Sequence, residues 1–285
     1  MNPLAFDFMQ RALVAAVLVG LTAPAVGVFL VQRRLALMGD GIGHVALTGV
    51  ALGFLLGTAP VLTAVVVATV GALVIELVRQ QGRSGGDVAL ALLFYGGIAG
   101  GVLLIGLSPG GSNANLLSYL FGSLTAVTAG DVLVVTVLSG AVLLALAVVG
   151  PQLFAVCHDE DYARVAGLRV RFLNLVLAVM AAVTVTVAMR VVGLLLVSAL
   201  MVVPVATAQQ LVRGFRATVA LSLTCGVLAS TTGVLGSFYV DTAPGALIVV
   251  LALAGFALAA LAGAVLRRSR RTPAGIGLLP QEATR

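Results

Sequence analysis

Apolar residues form long, nearly uninterrupted runs along this chain, and short polar stretches with most of the charges separate them. A helix needs about 20 consecutive apolar residues to cross a bilayer, and several runs reach that length. The runs are continuous and do not alternate, so the pattern favours helices over a β-barrel. It predicts nine membrane-spanning segments, at about residues 10–31, 35–57, 60–79, 88–107, 131–149, 172–190, 191–212, 217–239 and 245–266.

Two stretches do not fit a simple series of straight spans. Residues 114–127 are too short and too polar to cross alone, and they indicate an interfacial or re-entrant segment. The spans predicted at 172–190 and 191–212 adjoin directly, and the number of spans falls to eight if they form a broken pair. Pro204 lies deep in the second of them, where a proline kinks or breaks a helix.

Composition supports a membrane protein and excludes several classes of function. The chain is 61% hydrophobic and 9% charged, with a mean hydropathy of +1.19. All sixteen basic residues are Arg, so the chain lacks a P-loop lysine and with it a Walker-type nucleotide site. The net charge is +6, and the arginines lie in short loops and in the tail. This distribution is typical of loops that set the orientation of a membrane protein, and it does not indicate a nucleic-acid partner. The two cysteines, Cys157 and Cys225, are expected to be free thiols.

The arginines also predict an orientation. If the N-terminus faces outward and the chain crosses nine times, the arginine clusters in the loops and the tail are all cytoplasmic. Arg190 is the exception, because it falls near an outer turn. The expected organisation is an all-α polytopic protein of the cell membrane, in contact with lipid. It has one transmembrane domain, residues 1–266, and a basic cytoplasmic tail, residues 267–285.

The most informative polar residues are Asp40 and His44, one helical turn apart in an apolar run. Side chains at i and i+4 share a face of a helix, and ionisable groups at membrane depth usually mark an ion or substrate path. If the span begins near Leu35, His44 lies about 13 Å into the membrane. The alternative is that Asp40 caps a helix starting at Gly41 and that His44 only packs in the core.

Two ligands hold a metal poorly, and a homodimer would solve this problem. With this helix near a two-fold axis, two Asp40 and two His44 side chains would form a four-ligand site. Nitrogen and oxygen ligands suit Zn²⁺ or Mn²⁺ and do not favour Cu(I), which prefers thiolates. The metal would be the cargo, and no permanently bound cofactor is expected.

The longest internal polar stretch, at about 152–171, predicts a short cytoplasmic helix. Acidic residues begin the run 159–166, Arg164 lies near its end, and Gly167 follows as a helix stop. A membrane protein has little use for an amphipathic cytoplasmic helix unless a partner docks on it. The other polar residues have ordinary explanations: Glu76 pairs with Arg79, Asp131 and Asp241 cap helices, and Ser198, Thr207 and Gln209 are candidate linings of a path.

Four segments, in order, resemble parts of the permease subunits of manganese/zinc ATP-binding-cassette importers. The run Met38-Gly-Asp-Gly-Ile-Gly-His44 resembles their Met-Gly-Asp-x-x-x-His signature, with Gly43 where Ser is common. The run Asp159-Glu-Asp-Tyr-Ala-Arg-Val-Ala-Gly167 resembles their coupling segment. The apolar run 192–208 resembles their late motif ending in Pro-x-Ala-Thr-Ala, and residues 243–249 resemble the start of their last span.

The resemblance implies a homodimeric permease with the type II importer fold. It implies metal coordination by Asp40 and His44, and an extracytoplasmic metal-binding protein that delivers the ion. It also implies two cytoplasmic ATPase subunits docked on the coupling residues, which are Asp159, Glu160, Asp161, Tyr162, Arg164 and Gly167. ATP hydrolysis would then belong to those partner chains, and this chain would be a transport subunit and not an enzyme.

Other functions remain open on the residues alone. A stand-alone secondary transporter or channel could use Asp40 and His44 for ions or protons, and it would need no ATPase. An intramembrane metalloprotease needs more ligands and a general base, but the chain has two histidines and no HExxH motif. The choice among Zn²⁺, Mn²⁺ and Fe²⁺ also stays open, because histidine with carboxylate accepts all three.

Overall fold

The computed structural model describes residues 3–81, 86–107, 113–190, 192–194 and 196–269. In these ranges the secondary structure is helical throughout and contains no strand, as the apolar runs predicted. After a 3₁₀ turn at Pro3–Ala5, the helices are α1 (Asp7–Gln32), α2 (Met38–Leu56), α3 (Pro60–Gln80), α4 (Gly86–Leu107), α5 (Asn113–Phe121), α6 (Ala129–His158), α7 (Glu160–Val165), α8 (Val170–Ala188), α9 (Val197–Leu211), α10 (Phe215–Val240) and α11 (Pro244–Ser269).

Eight of these helices are long and apolar enough to cross a membrane, which confirms an all-α, multi-pass membrane protein. The predicted span at 191–212 is wrong in extent. Its helix, α9, has 15 residues and follows an irregular stretch that contains Gly193 at φ +86°. Hydropathy alone missed this break, because the residues of the irregular stretch after Arg190 are as apolar as those of a helix. Pro204 does not break the helix, because it lies inside α9.

The irregular stretch and α9 together make one crossing. The start of α8 lies at the same end of the bundle as the end of α1, because Arg33 bonds to Asn174. The start of α10 lies there too, since the rings of Phe29 and Phe215 are 5.5 Å apart. The chain must therefore return between the end of α8 and the start of α10. This path supports the predicted nine crossings, with eight long helices and one short one.

Helix α1 lies at the centre of the bundle, and small residues allow its neighbours to approach closely. In its most apolar window 72% of residues are buried, against 17% for α4 and for α6. A side chain at Gly20 would collide with α10 near Gly226, and one at Gly27 would collide with the backbone of α9 at Met201. Such small-residue contacts stabilise helix pairs in lipid, where the hydrophobic effect does not drive helices together and close packing must do so.

Arg190, the exception to the predicted orientation, has a buried partner. Its guanidinium pairs with the carboxylate of Asp131, and the two side chains are only 14% and 15% exposed. The same guanidinium donates to the carbonyl of Ala126 at 3.0 Å and lies 5.0 Å from the ring centre of Tyr119. Asp131 also forms the predicted cap, a capping box with Thr128 at the start of α6. This arginine therefore joins α5, α6 and the end of α8.

We expect Arg190→Met to destabilise the protein, because it leaves the Asp131 carboxylate buried without its cation. Breaking such a pair costs about 3 kcal/mol, which should lower the Tm of the purified protein by several degrees. The double variant Arg190→Met/Asp131→Leu removes both charges and should recover part of the loss. Equal Tm values for the wild type and Arg190→Met would show that the pair does not stabilise the fold.

Candidate metal centre

Asp40 lies in the first turn of α2, and its carboxylate accepts a hydrogen bond from the hydroxyl of Ser198. Ser198 is the second residue of α9, so the bond joins two helices through residues that are 158 positions apart in sequence. The cap interpretation of Asp40 is wrong. The helix begins at Met38, and its N-cap is Leu37, which makes no side-chain bond. The Asp40 carboxylate therefore bonds to a neighbouring helix and does not cap α2.

His44 lies one turn further along α2, and its side chain is 9% exposed. Its Nδ1 is buried and has no hydrogen-bond partner among the described residues. The ring meets Phe94 of α4 edge-on, with 4.2 Å between ring centres. Buried polar atoms without a partner are rare in folded proteins, and they call for a role such as binding an ion.

The start of α2 differs from the prediction. Because α2 begins at Met38 and not near Leu35, His44 is six residues into the helix, or about 9 Å from its start. Asp40 thus lies close to the end of the bundle where α1 ends, and His44 lies three residues before the middle of α2.

Helix α4 packs tightly along α2 and fixes the histidine. A Cβ atom at Gly97 would lie 2.6 Å from the carbonyl carbon of His44, so only glycine fits there. The hydroxyl of Thr48 donates to the carbonyl of Gly97 at 2.8 Å, one turn beyond. Close backbone contact and a hydrogen bond between helices leave the backbone around His44 little freedom.

A cavity of about 230 Å³ opens beside Asp40, between α2 and α4. Its described walls are mainly apolar and aromatic, and Asp40 is the one charged residue among these described lining residues: Leu37, Asp40, Leu90, Ala91, Phe94 and Tyr95. Tyr95 and Leu37 are 69% and 67% exposed, so this face of the single chain is open. Phe94 lines the cavity and contacts His44, and it therefore separates the histidine from the open face.

The described residues of one copy do not form a complete metal site. No group of three or more histidine, cysteine or acidic side chains comes together in the described ranges. Asp40 and His44 lie one turn apart on one helix. Zinc and manganese sites usually have four or more ligands, so these two side chains alone do not make one.

The predicted short helix in the polar loop is α7, and its ends form as expected. The carboxylate of Asp159 caps the helix by accepting a hydrogen bond from the backbone amide of Tyr162 at 2.9 Å. Gly167 follows the end of the helix, with φ at +83°. Arg164 lies 3.3 Å from Glu160 within the helix. Tyr162 is 69% exposed and Val165 is 88% exposed, which leaves an apolar outer face.

A buried arginine connects α7 to the end of α1. Arg33 directly follows α1, is 7% exposed, and donates to Glu160 at 2.7 Å. A second bond runs from Arg33 to Asn174 of α8. Only four residues separate Arg33 from Met38, where α2 begins. One side chain thus joins the exposed helix α7 to the end of α1, a short loop before the helix with Asp40 and His44.

Other sequence predictions have clear outcomes. Glu76 is 1% exposed and pairs with Arg79 at 2.8 Å, as predicted. Asp241 ends α10 in the left-handed region, at φ +52°. Thr207 bonds within α9, to the carbonyl of Val203, and it lines a cavity between α9, α10 and α11. The predicted tail falls outside the described residues from position 270 onward.

Sequence reasoning missed three contributors to this region. Phe94 and Tyr95 line the cavity, and their signal was an aromatic pair in a glycine-rich span. Arg33 was counted only as a topology marker, although it lies five positions before the helix with the metal signature. Ser198 was named as a path lining, but its bond to Asp40 could not be inferred from the sequence.

Comparison with known proteins agrees with this architecture. Residues 5–263 match the sequence profile of the ABC 3 transport family. The chain is 33% identical over 256 residues to the manganese transport system membrane protein MntC of Halalkalibacterium halodurans, covering 90% of this chain and 87% of that one. It is 31% identical over 258 residues to the chelated iron transport system membrane protein YfeD of Yersinia pestis, covering 90% and 86%.

A solved structure shows the same fold. The structure described as PsaBC from Streptococcus pneumoniae in complex with Fab superposes with a TM-score of 0.78 at 33% identity. The match covers 89% of this chain and 91% of that chain. The chain belongs to the ABC 3 transport family.

Proposed function

We propose that this chain is the membrane permease of an ATP-driven importer of divalent metal ions, and that Asp40 and His44 bind the ion in transit. The observation that carries the proposal is the buried Nδ1 of His44, which has no partner among the described residues and lies one turn from a carboxylate. Relatives named for manganese and chelated iron transport support the choice of cargo.

A homodimer would complete the site. The face of α4 beside Asp40 is apolar and exposed, and Tyr95 and Leu92 are 69% and 70% exposed. A second copy packed there would bury this face and bring a second pair of ligands toward the first. A site divided between two protomers can release its ion when the protomers move apart.

The docking site for the ATPase would be the segment 152–171, with α7 at its centre. The exposed side chains of Tyr162 and Val165 supply apolar area, and the charges of Asp161 and Arg164 surround them. Such an apolar centre with a polar rim is typical of protein interfaces. ATP hydrolysis would then occur on partner chains, since the sequence has no P-loop lysine.

On the outer side, an extracytoplasmic metal-binding protein would deliver the ion, as in the importers that the motifs resemble. Among cargoes, we favour Mn²⁺ or Zn²⁺, with Fe²⁺ as a further candidate. A site with one imidazole and one carboxylate per protomer accepts all three ions. Zn²⁺ would compete strongly even if Mn²⁺ were the physiological cargo.

Uptake in proteoliposomes tests this function against a stand-alone transporter or channel. We expect ⁵⁴Mn²⁺ or ⁶⁵Zn²⁺ uptake only when the permease is reconstituted with its ATPase, ATP and the binding protein. A catalytically dead ATPase serves as the control, because it keeps the assembly and removes hydrolysis. Equal uptake by the permease alone, driven by an ion gradient, would contradict the proposal.

A further inference from the structure

A second cavity lies between helices α1, α6 and α10, at the end of the bundle where α1 ends. Its volume is about 780 Å³, and its walls are mainly apolar. Helices α6 and α10 each pack along α1 but hardly touch each other. The rings of Phe154 and Phe215, 4.5 Å apart, close the cleft at one end. The result is a groove with α1 as its floor.

Small residues keep this groove open. Ala147 and Gly150 line it from α6 and Ala217 lines it from α10, and a Cβ atom at Gly150 would meet no other atom within 4 Å. On the adjoining surface of α6, Leu144 and Val148 are 68% and 69% exposed. The groove is therefore continuous with the surface that faces lipid. An apolar groove in a bilayer is filled by hydrocarbon and not by water.

The polar end of the groove is positively charged. Arg213 and Arg216 line it, and both are exposed. Neither forms an ion pair with a residue in the described ranges, whereas Arg33, Arg79, Arg164 and Arg190 all do. Gly214 lies between them at φ +97°, and the sharp turn there brings both arginines to the start of α10.

From the apolar groove and the two arginines we infer that this cleft binds one anionic phospholipid of the cytoplasmic leaflet. An acyl chain fills the space between α6 and α10, and the phosphate pairs with Arg213 and Arg216. Basic pockets between helices on the cytoplasmic side suit anionic head groups. A free phosphate ion would leave the apolar walls empty, so the groove selects a lipid. This site is independent of metal transport.

Native mass spectrometry of the purified full complex tests the site. The complex is titrated with phosphatidylglycerol, and phosphatidylcholine serves as the zwitterionic comparison. Arg213→Gln/Arg216→Gln should weaken phosphatidylglycerol binding by roughly thirty-fold, about five-fold for each arginine. The control Arg34→Gln removes an exposed arginine on the same side, outside the groove and outside the segment 152–171, and it should leave binding unchanged.

A second pair of variants tests the apolar part. Gly150→Leu fills the groove and should reduce retention of the lipid, while Gly140→Leu on the same helix should not. Both glycines have open space around them, so neither change strains the backbone contacts. Unchanged phosphatidylglycerol binding in the arginine variant would overturn the inference. So would a Gly150→Leu variant that dissociates the dimer or the ATPase while it retains the lipid.

Discussion

Replacing His44 with Ala should abolish ATP-dependent metal uptake by the reconstituted complex. The imidazole is the only nitrogen ligand that one protomer offers near Asp40 among the described residues, and its buried Nδ1 has no other partner. Loss of a group that merely supports a ligand costs about 10–100-fold in metal affinity or activity, so loss of the ligand itself should reach at least the upper figure. Asp40→Asn should act similarly.

A variant of Ser198 distinguishes the role of the Asp40 carboxylate from a role in packing. Ser198→Ala removes the bond that orients Asp40, and uptake should fall about ten-fold. Ser237→Ala is the matched control, since that buried serine bonds only within its own helix. Asp7→Asn, an exposed acid at the start of α1, controls for loss of charge. Normal uptake by His44→Ala in a fully assembled complex would refute the site.

Charge reversal at Arg33 should uncouple ATP hydrolysis from transport. The Arg33→Glu variant places two carboxylates against each other where Arg33 and Glu160 now meet at 2.7 Å. The ATPase would still dock on the exposed face of α7, but α7 would no longer hold the residues that precede α2. We expect the ratio of ions transported to ATP hydrolysed to fall at least ten-fold.

The double reversal Arg33→Glu/Glu160→Arg tests whether the pair itself matters. It restores opposite charges, and the amide of Asn174 can turn to donate to the new carboxylate. The ratio should recover substantially. Arg213→Glu is the matched control, because this arginine is exposed, lies outside the segment 152–171 and has no ion pair in the described residues. If both single and double variants keep the wild-type ratio, Arg33 plays no part in coupling.

Most of the fold could be predicted because a bilayer imposes a simple rule on length and composition. The polar loop was equally readable: Asp159 and Gly167 begin and end α7 through local bonds that depend on neighbouring residues only. The Glu76–Arg79 pair has the same local origin. Where a structure is determined by residues within one turn of each other, the sequence is sufficient.

Contacts between distant residues could not be predicted in the same way. The break before α9 is hidden because its residues are apolar, and only packing of Gly193 against Leu120–Gly122 reveals why the backbone leaves the helix. The partner of Arg190 is Asp131, 59 residues away. The bond between Ser198 and Asp40 joins residues 158 apart. Each of these contacts depends on how the helices pack against one another, and this packing cannot be read from a single sequence.

The contact of Gly97 with the backbone of His44 has a mechanical consequence. Helices α2 and α4 touch so closely that neither can slide along the other, and the Thr48 bond locks their register. Toward α9, α2 has one side-chain hydrogen bond, from Ser198 to Asp40. Helices α2 and α4 would therefore move as one rigid pair during a transport cycle. Movement of this pair away from α9 would break the Ser198 bond.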